Sequence, residues 1–199
     1  QLSLLLSIPA SLGLVIASDE IVNGLFGYGS FSPKDVEITA NALMFFGYGV
    51  VAFALVKILS NFFFARDNTK TPFYISTFIV FLNVSISFSF FNQIGFLIIP
   101  IATSISTWIG VLIFIYFLKK KNYLLLRDEL LNTTYKIIIS TIFMCFVLIF
   151  ALEKYSSNLD YSYAYKSIYL FIIIGFVGIV YLLSCYLLGI LKIKNYKTN

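Results

Sequence analysis

Three cations and three uncharged polar residues carry what chemistry this sequence offers. Lys57 stands inside an apolar run, seven residues before it ends at Phe64. A charge within hydrocarbon costs about 2.5–3.5 kcal/mol on insertion scales. It therefore either lines a polar cavity or snorkels to the nearer surface, about 10 Å away at 1.5 Å per residue. Arg66 and Lys70 lie in the polar break Arg66-Asp67-Asn68-Thr69-Lys70-Thr71-Pro72. They are either simple markers of membrane sidedness or parts of a gate whose cations exchange partners. Asn83 and Ser87 are one helical turn apart on a shared face, with Thr103 on the following apolar run. Facing polar side chains of this kind ordinarily make interhelical hydrogen bonds.

Catalytic constellations are not in view. Asp19, Glu20, Asp35, Glu37, Asp67, Asp128, Glu129, Glu153 and Asp160 all fall in breaks or at the ends of apolar runs, and there is no histidine. Acid/base pairs, activated nucleophiles and metal clusters need groups this pattern does not bring together, which argues against an enzyme. Cys145 and Cys185 lie within apolar runs and read as small packing residues.

The elements that must position these residues follow from composition. The chain is 60% hydrophobic, 19% aromatic and only 12% charged, with mean hydropathy +0.94. A soluble domain of this length needs more charge to cover its surface. Long charge-free runs separated by short polar breaks predict an all-α, polytopic transmembrane helix bundle of six helices. The spans fall at 2–17 (continuing raggedly towards Phe26), 38–64, 72–91, 94–118, 137–152 and 167–191. Barrel strands would alternate instead of running apolar. The segment Ser32-Pro33-Lys34-Asp35 reads as a helix cap, a first-turn proline and an acid near the positive dipole end. Thr71-Pro72 reads as a repeat of that device.

Cation counting predicts orientation. Arg66, Lys70, Lys119, Lys120, Lys121, Arg127, Lys136, Lys192, Lys194 and Lys197 share one side, against Lys34, Lys154 and Lys166 on the other. Under the positive-inside rule the first group, and the C-terminus with it, is cytoplasmic. The net charge of +5 is spread over loops and tail, unlike a nucleic-acid footprint. Residues 119–136 mix Leu with charge and fit either a helix along anionic headgroups or a partly ordered connector. Tyr155, Tyr161, Tyr163 and Tyr165 crowd one outer loop, as an interfacial aromatic belt does. The first residue is Gln1, with no signal-peptide pattern, so the chain reads as the tail end of a longer protein.

Three stretches carry a family resemblance: Ile8-Pro9 with Gly13-Leu14; Leu25-Phe26-Gly27-Tyr28-Gly29-Ser30-Phe31-Ser32 with Asp35; and Phe63-Phe64-Ala65-Arg66 followed by Thr69-Lys70-Thr71-Pro72. In this order they resemble the C-terminal part of the MurJ (MviN) family, the lipid II flippases of the wider exporter superfamily with a MATE-like (MOP) fold. Asn68 stands where that family usually has an acid, and Phe64 where it has Tyr. The resemblance implies residues 1–118 as the last four helices of a second lobe, 119–136 as a cytoplasmic connector, 137–191 as two extra helices and 192–199 as a cytoplasmic tail. It also implies a bacterial inner-membrane location and transport of a lipid-linked polyprenyl-pyrophosphate sugar by alternating access, with a first lobe supplied from outside this sequence. A lipid-linked oligosaccharide flippase or a drug/cation antiporter of the same superfamily is the alternative.

Under that resemblance Lys57 would hold a phosphate or sugar headgroup. Asn83, Ser87 and Thr103 would occupy a sodium site used by some members, with Ser87 at the position of an expected acid. The last two helices, with Gly175 and Gly178, would border a groove for the polyprenyl tail.

Overall fold

The computed structural model describes residues 2–121 and 128–190, and helices dominate it. Arg127, Lys192, Lys194, Lys197, the 192–199 tail and the middle of the 119–136 connector lie outside the described residues. Helix α1 (Leu2–Ile16) meets α2 (Ser18–Phe26) at 76°. The expected ragged continuation of the first span is thus a sharp bend at Ala17. The bend does not fall at Pro9, which stands inside α1. Proline lacks the N–H that would bond the carbonyl four residues back. Here the Tyr181 hydroxyl of the last long helix donates to the Leu5 carbonyl at 2.7 Å, so the freed oxygen is satisfied from outside.

Helices α3 (Pro33–Gly47) and α4 (Val50–Phe64) form one apolar stretch of 32 residues. It begins five residues before the expected 38 because the Ser32 cap forms in full. The Asp35 N–H reaches Ser32 Oγ at 3.3 Å, and the Ser32 N–H reaches Asp35 Oδ2 at 2.9 Å. The stretch is not continuous, however: the helix is interrupted at Tyr48-Gly49, which an apolar-run reading passes over.

Helix α4 closes through Asp67, whose φ of 54° is left-handed, and the Asn68 N–H returns to the Phe63 carbonyl at 3.1 Å. This is the hydrogen-bond pattern of a helix ending usually made with glycine or asparagine. Helix α5 (Lys70–Ile94) then starts two residues before the expected 72. The Thr71 side chain does not cap it. The Thr71 N–H is instead taken by Asn68 Oδ1 at 3.1 Å, so the departure from the family pattern at Asn68 still supplies a cap.

A 3₁₀ turn at Gly95–Leu97 joins α5 to α6 (Ile98–Lys120). Asn92 and Gln93, which fall between the expected third and fourth spans, remain helical. Gly95 makes the turn with φ 72°, a torsion that disfavours any side chain. Helix α7 (Asp128–Lys154), the short α8 (Ser156–Leu159) and α9 (Lys166–Leu187) complete the elements among the described residues. Residues 128–136, expected as connector, are the opening turns of α7. Lys136 donates to the Leu188 carbonyl past the end of α9 at 2.9 Å, where a cation suits the dipole.

Among the described residues, four stretches are long and apolar enough to cross a membrane, or five counting the bent α1–α2 pair. One of them, Lys70–Lys120, consists of two helices, α5 and α6, which face each other through Asn83 and Thr103. Among the described residues, two large cores and a small one of Val22, Val36 and Ala40 hold the bundle. Leu5 of α1 packs with Met144 and Leu148 of α7 and Leu170, Val177 and Cys185 of α9. Leu59 and Phe63 of α4 pack with Ile75 of α5 and Phe114 and Leu118 of α6. Cys145 and Cys185 are both free thiols.

Candidate functional site

The turn between α4 and α5 and the first turns of α5 frame a groove of about 780 Å³. Lys57, Asn61, Thr69 and Lys70 line it with polar groups, and Phe64 and Tyr74 with aromatic ones. Lys57 and Lys70 thus share one concave surface, although thirteen residues separate them. Arg66 is not part of the lining: its Nη1 donates to the Phe62 carbonyl at 2.9 Å, back onto the end of its own helix.

Ser76 also lines this groove. Asn83 lies seven residues further along α5 and Ser87 four beyond that, spacings that keep all three on one helical face. Asn83 Nδ2 donates to Thr103 Oγ1 across to α6 at 2.8 Å. Ser87 Oγ sits 3.4 Å from Asn83 Oδ1, and the Thr103 hydroxyl donates to the Ile99 carbonyl at 2.7 Å. The three expected partners therefore converge, through uncharged oxygens and one amide N–H. Asn83, Ser87 and Thr103 are each only half-buried. Among the described residues no group of three or more His, Cys, Asp or Glu could hold a metal.

A second groove, of about 680 Å³, opens between α1, α7 and α9. Its walls are almost wholly apolar and include Pro9, Gly13, Met144, Gly175 and Gly178. A side-chain carbon at either Gly175 or Gly178 would meet nothing within 4 Å, so both face open space.

Lys166 is the residue whose role sequence reasoning missed. Counted there as an outer-loop cation, it is fully buried, 0% exposed. Its Nζ donates to Asn23 Oδ1 at 3.0 Å, to the Gly27 carbonyl at 2.6 Å and to the Tyr161 carbonyl at 2.7 Å. The rings of Tyr28 and Tyr161 flank it at 4.5 and 4.4 Å. All three N–H donors are used and two π-faces add attraction, which is how a buried ammonium is tolerated. Around it Tyr28 bonds Ser167, the Ser167 hydroxyl donates to the Gly24 carbonyl, and Tyr161 donates to the Phe31 carbonyl. Asp160 beside this knot is held below the usual carboxylate range, mainly by the Ser162 hydroxyl that donates to it at 2.5 Å. Apart from the tyrosines crowding the same loop, nothing in the sequence distinguished Lys166 from a snorkelling cation.

Among the described residues, an all-helical bundle of long apolar stretches defines a polytopic membrane protein. The family model "Lipid II flippase MurJ" matches residues 1–174, and the chain belongs to that family. A probable lipid II flippase MurJ of Borreliella burgdorferi is 32% identical over 197 residues, covering 98% of this chain and 38% of the relative. One of Rickettsia prowazekii is 29% identical over 203 residues, covering 100% and 39%. Among solved structures, a lipid II flippase MurJ in an inward closed conformation superposes with TM-score 0.72 at 26% identity, over 92% of this chain and 36% of that one. This chain therefore spans under two fifths of the length of these relatives.

Proposed function

We propose that this chain is the C-terminal part of a flippase that carries lipid II across the bacterial cytoplasmic membrane by alternating access, without covalent chemistry. The observation that carries the reading is the polar line along α5. It runs from the Lys57–Lys70 groove through Ser76 to Asn83 and Ser87 on a helix of 25 residues that is otherwise largely apolar. Polar groups part-open within a membrane belong against a water-filled cavity or another protein segment. In the proposal that segment is the first lobe, and the cavity between the lobes holds the headgroup.

Lys57 and Lys70 are the groups that would meet the pyrophosphate, and the apolar groove of α1, α7 and α9 would take the polyprenyl chain. Arg66 keeps a part in gating only through the helix end it covers. Replacing Lys57 with Ala in the full-length protein is expected to impair rescue of a flippase-depleted strain while leaving membrane abundance unchanged. Full rescue removes Lys57 from the substrate path. Sodium as coupling ion belongs to the same proposal. The convergence of Asn83, Ser87 and Thr103 supports it, though these three supply no anionic oxygen. Transport that runs equally well with potassium replacing sodium would rule it out.

A further inference from the structure

The geometry points to a hinge at Gly47–Gly49, held shut by side chains of α1 and α6, about which α4 swings relative to α3. The interruption lies at the midpoint of the 32-residue stretch. There the Gly49 N–H bonds the Phe46 carbonyl at 2.9 Å, a three-residue step in place of the four-residue one. Tyr48 and Gly49 keep right-handed helical torsions, with φ −61° and −86°. What changes is the hydrogen-bond register and not the direction of the chain.

Three carbonyls in this short segment are taken by side chains from elsewhere. Ser104 Oγ of α6 donates to the Phe45 carbonyl at 2.6 Å, and Ser11 Oγ of α1 to the Gly47 carbonyl at 2.7 Å. Trp108 Nε1 of α6 donates to the Tyr48 carbonyl at 2.9 Å. Glycine is required where these contacts are made: a Cβ on Gly49 would sit 2.6 Å from Ser104 Oγ, and one on Gly47 would sit 2.9 Å from Val15 Cγ2.

These contacts have a second state within reach. A serine in a helix can return its hydroxyl to the carbonyl four residues back, as Ser60, Thr103 and Thr141 do here. Ser11 and Ser104 can therefore let go without leaving a bare donor, while the released carbonyls rejoin a continuous helical ladder. Trp108 has no such fallback, so its indole N–H contributes most to holding the latched state. It borders a cleft of about 380 Å³ with Tyr48, Phe45 and Ile105, which leaves the ring room to turn. The two halves also differ in their main clusters: Val36 and Ala40 of α3 pack with Val22 of α2, and Leu59 and Phe63 of α4 with α5 and α6, while α1 and α6 lie against both halves. An interrupted helix whose freed carbonyls are held by side-chain latches is the structural form of a hinge. Because α4 carries Lys57 and packs with α5, the swing would move the dibasic groove as a unit relative to α3, and only this use of the motion rests on the proposed function.

Pulsed electron paramagnetic resonance on the full-length protein in lipid nanodiscs tests the hinge. Nitroxides at Glu37 and Ala65, with native cysteines replaced, bracket the break at about 42 Å for a helix rising 1.5 Å per residue. One dominant distance is expected for the otherwise unaltered protein. Trp108→Phe and, independently, Ser104→Ala are expected to add a second population displaced by several ångströms, the larger share with Trp108→Phe. A control pair at Ile99 and Tyr116 on the unbroken α6 is expected to stay sharp. Unchanged Glu37–Ala65 distances in both variants overturn the proposal, and so does equal broadening of the control pair, which would mean general loosening. The readout needs no substrate, so a different cargo would leave it intact.

Discussion

The ammonium of Lys166 shows how far a residue's role can lie from its place in the sequence. Its three acceptors come from α2, the turn after it and the loop before α9. Replacing it with Met would leave them buried without a donor, at roughly 1–3 kcal/mol for each one not re-satisfied. A clear fall in thermal midpoint in detergent is expected for Lys166→Met. Arg should rescue it poorly, because a planar fork does not fit acceptors converging from three segments. An unchanged midpoint would mean the cage is decorative. Lys57 was legible beforehand because a charge in an apolar run is conspicuous; Lys166 was not, because a cation at the edge of a span looks like an ordinary snorkel. Convergence of Asn83 with Thr103 was readable from helical spacing plus a tight reversal, even though the reversal itself lies at Gly95.

At the scale of elements, hydropathy located the membrane passes, whereas hydrogen bonding decided where each helix starts, stops or breaks. The interruption at Gly47-Tyr48-Gly49 and the bend at Ala17 are invisible to an average over apolar residues. Both follow from which carbonyls find partners. The polar turn at 66–72 is the clearest case: Arg66 covers the end of α4, Asp67 reverses the chain and Asn68 caps α5. Asn68→Ala is therefore expected to cost about 1 kcal/mol. Asp67→Gly should be neutral or stabilising, since glycine accepts positive φ freely. Chemical or thermal unfolding of the two variants in the same micelle checks the contrast, and a loss for Asp67→Gly would contradict the account.

For the whole molecule, the loops sort onto two faces. Lys121 lies over the Phe63 ring at 5.9 Å and reaches Thr71 at 3.5 Å, which joins the 65–71 turn to the end of α6. On the far side Tyr161 ties its loop to Phe31. Arg66, Lys70 and Lys121 belong to or touch the first of these connections, and Lys166 is bound within the second. Reporter fusions in the full-length protein should thus find the Arg66 turn inside the cell and the Tyr163 loop outside; the reverse result would invert the proposed direction of access. One contact reaches further than its size suggests. The proline in α1 deprives Leu5 of its own-helix partner, and the replacement comes from Tyr181, 176 residues later in the chain. Helix α1 therefore reaches its final hydrogen bonding only when α9 packs beside it, so the two helices stand or fall as one folding unit.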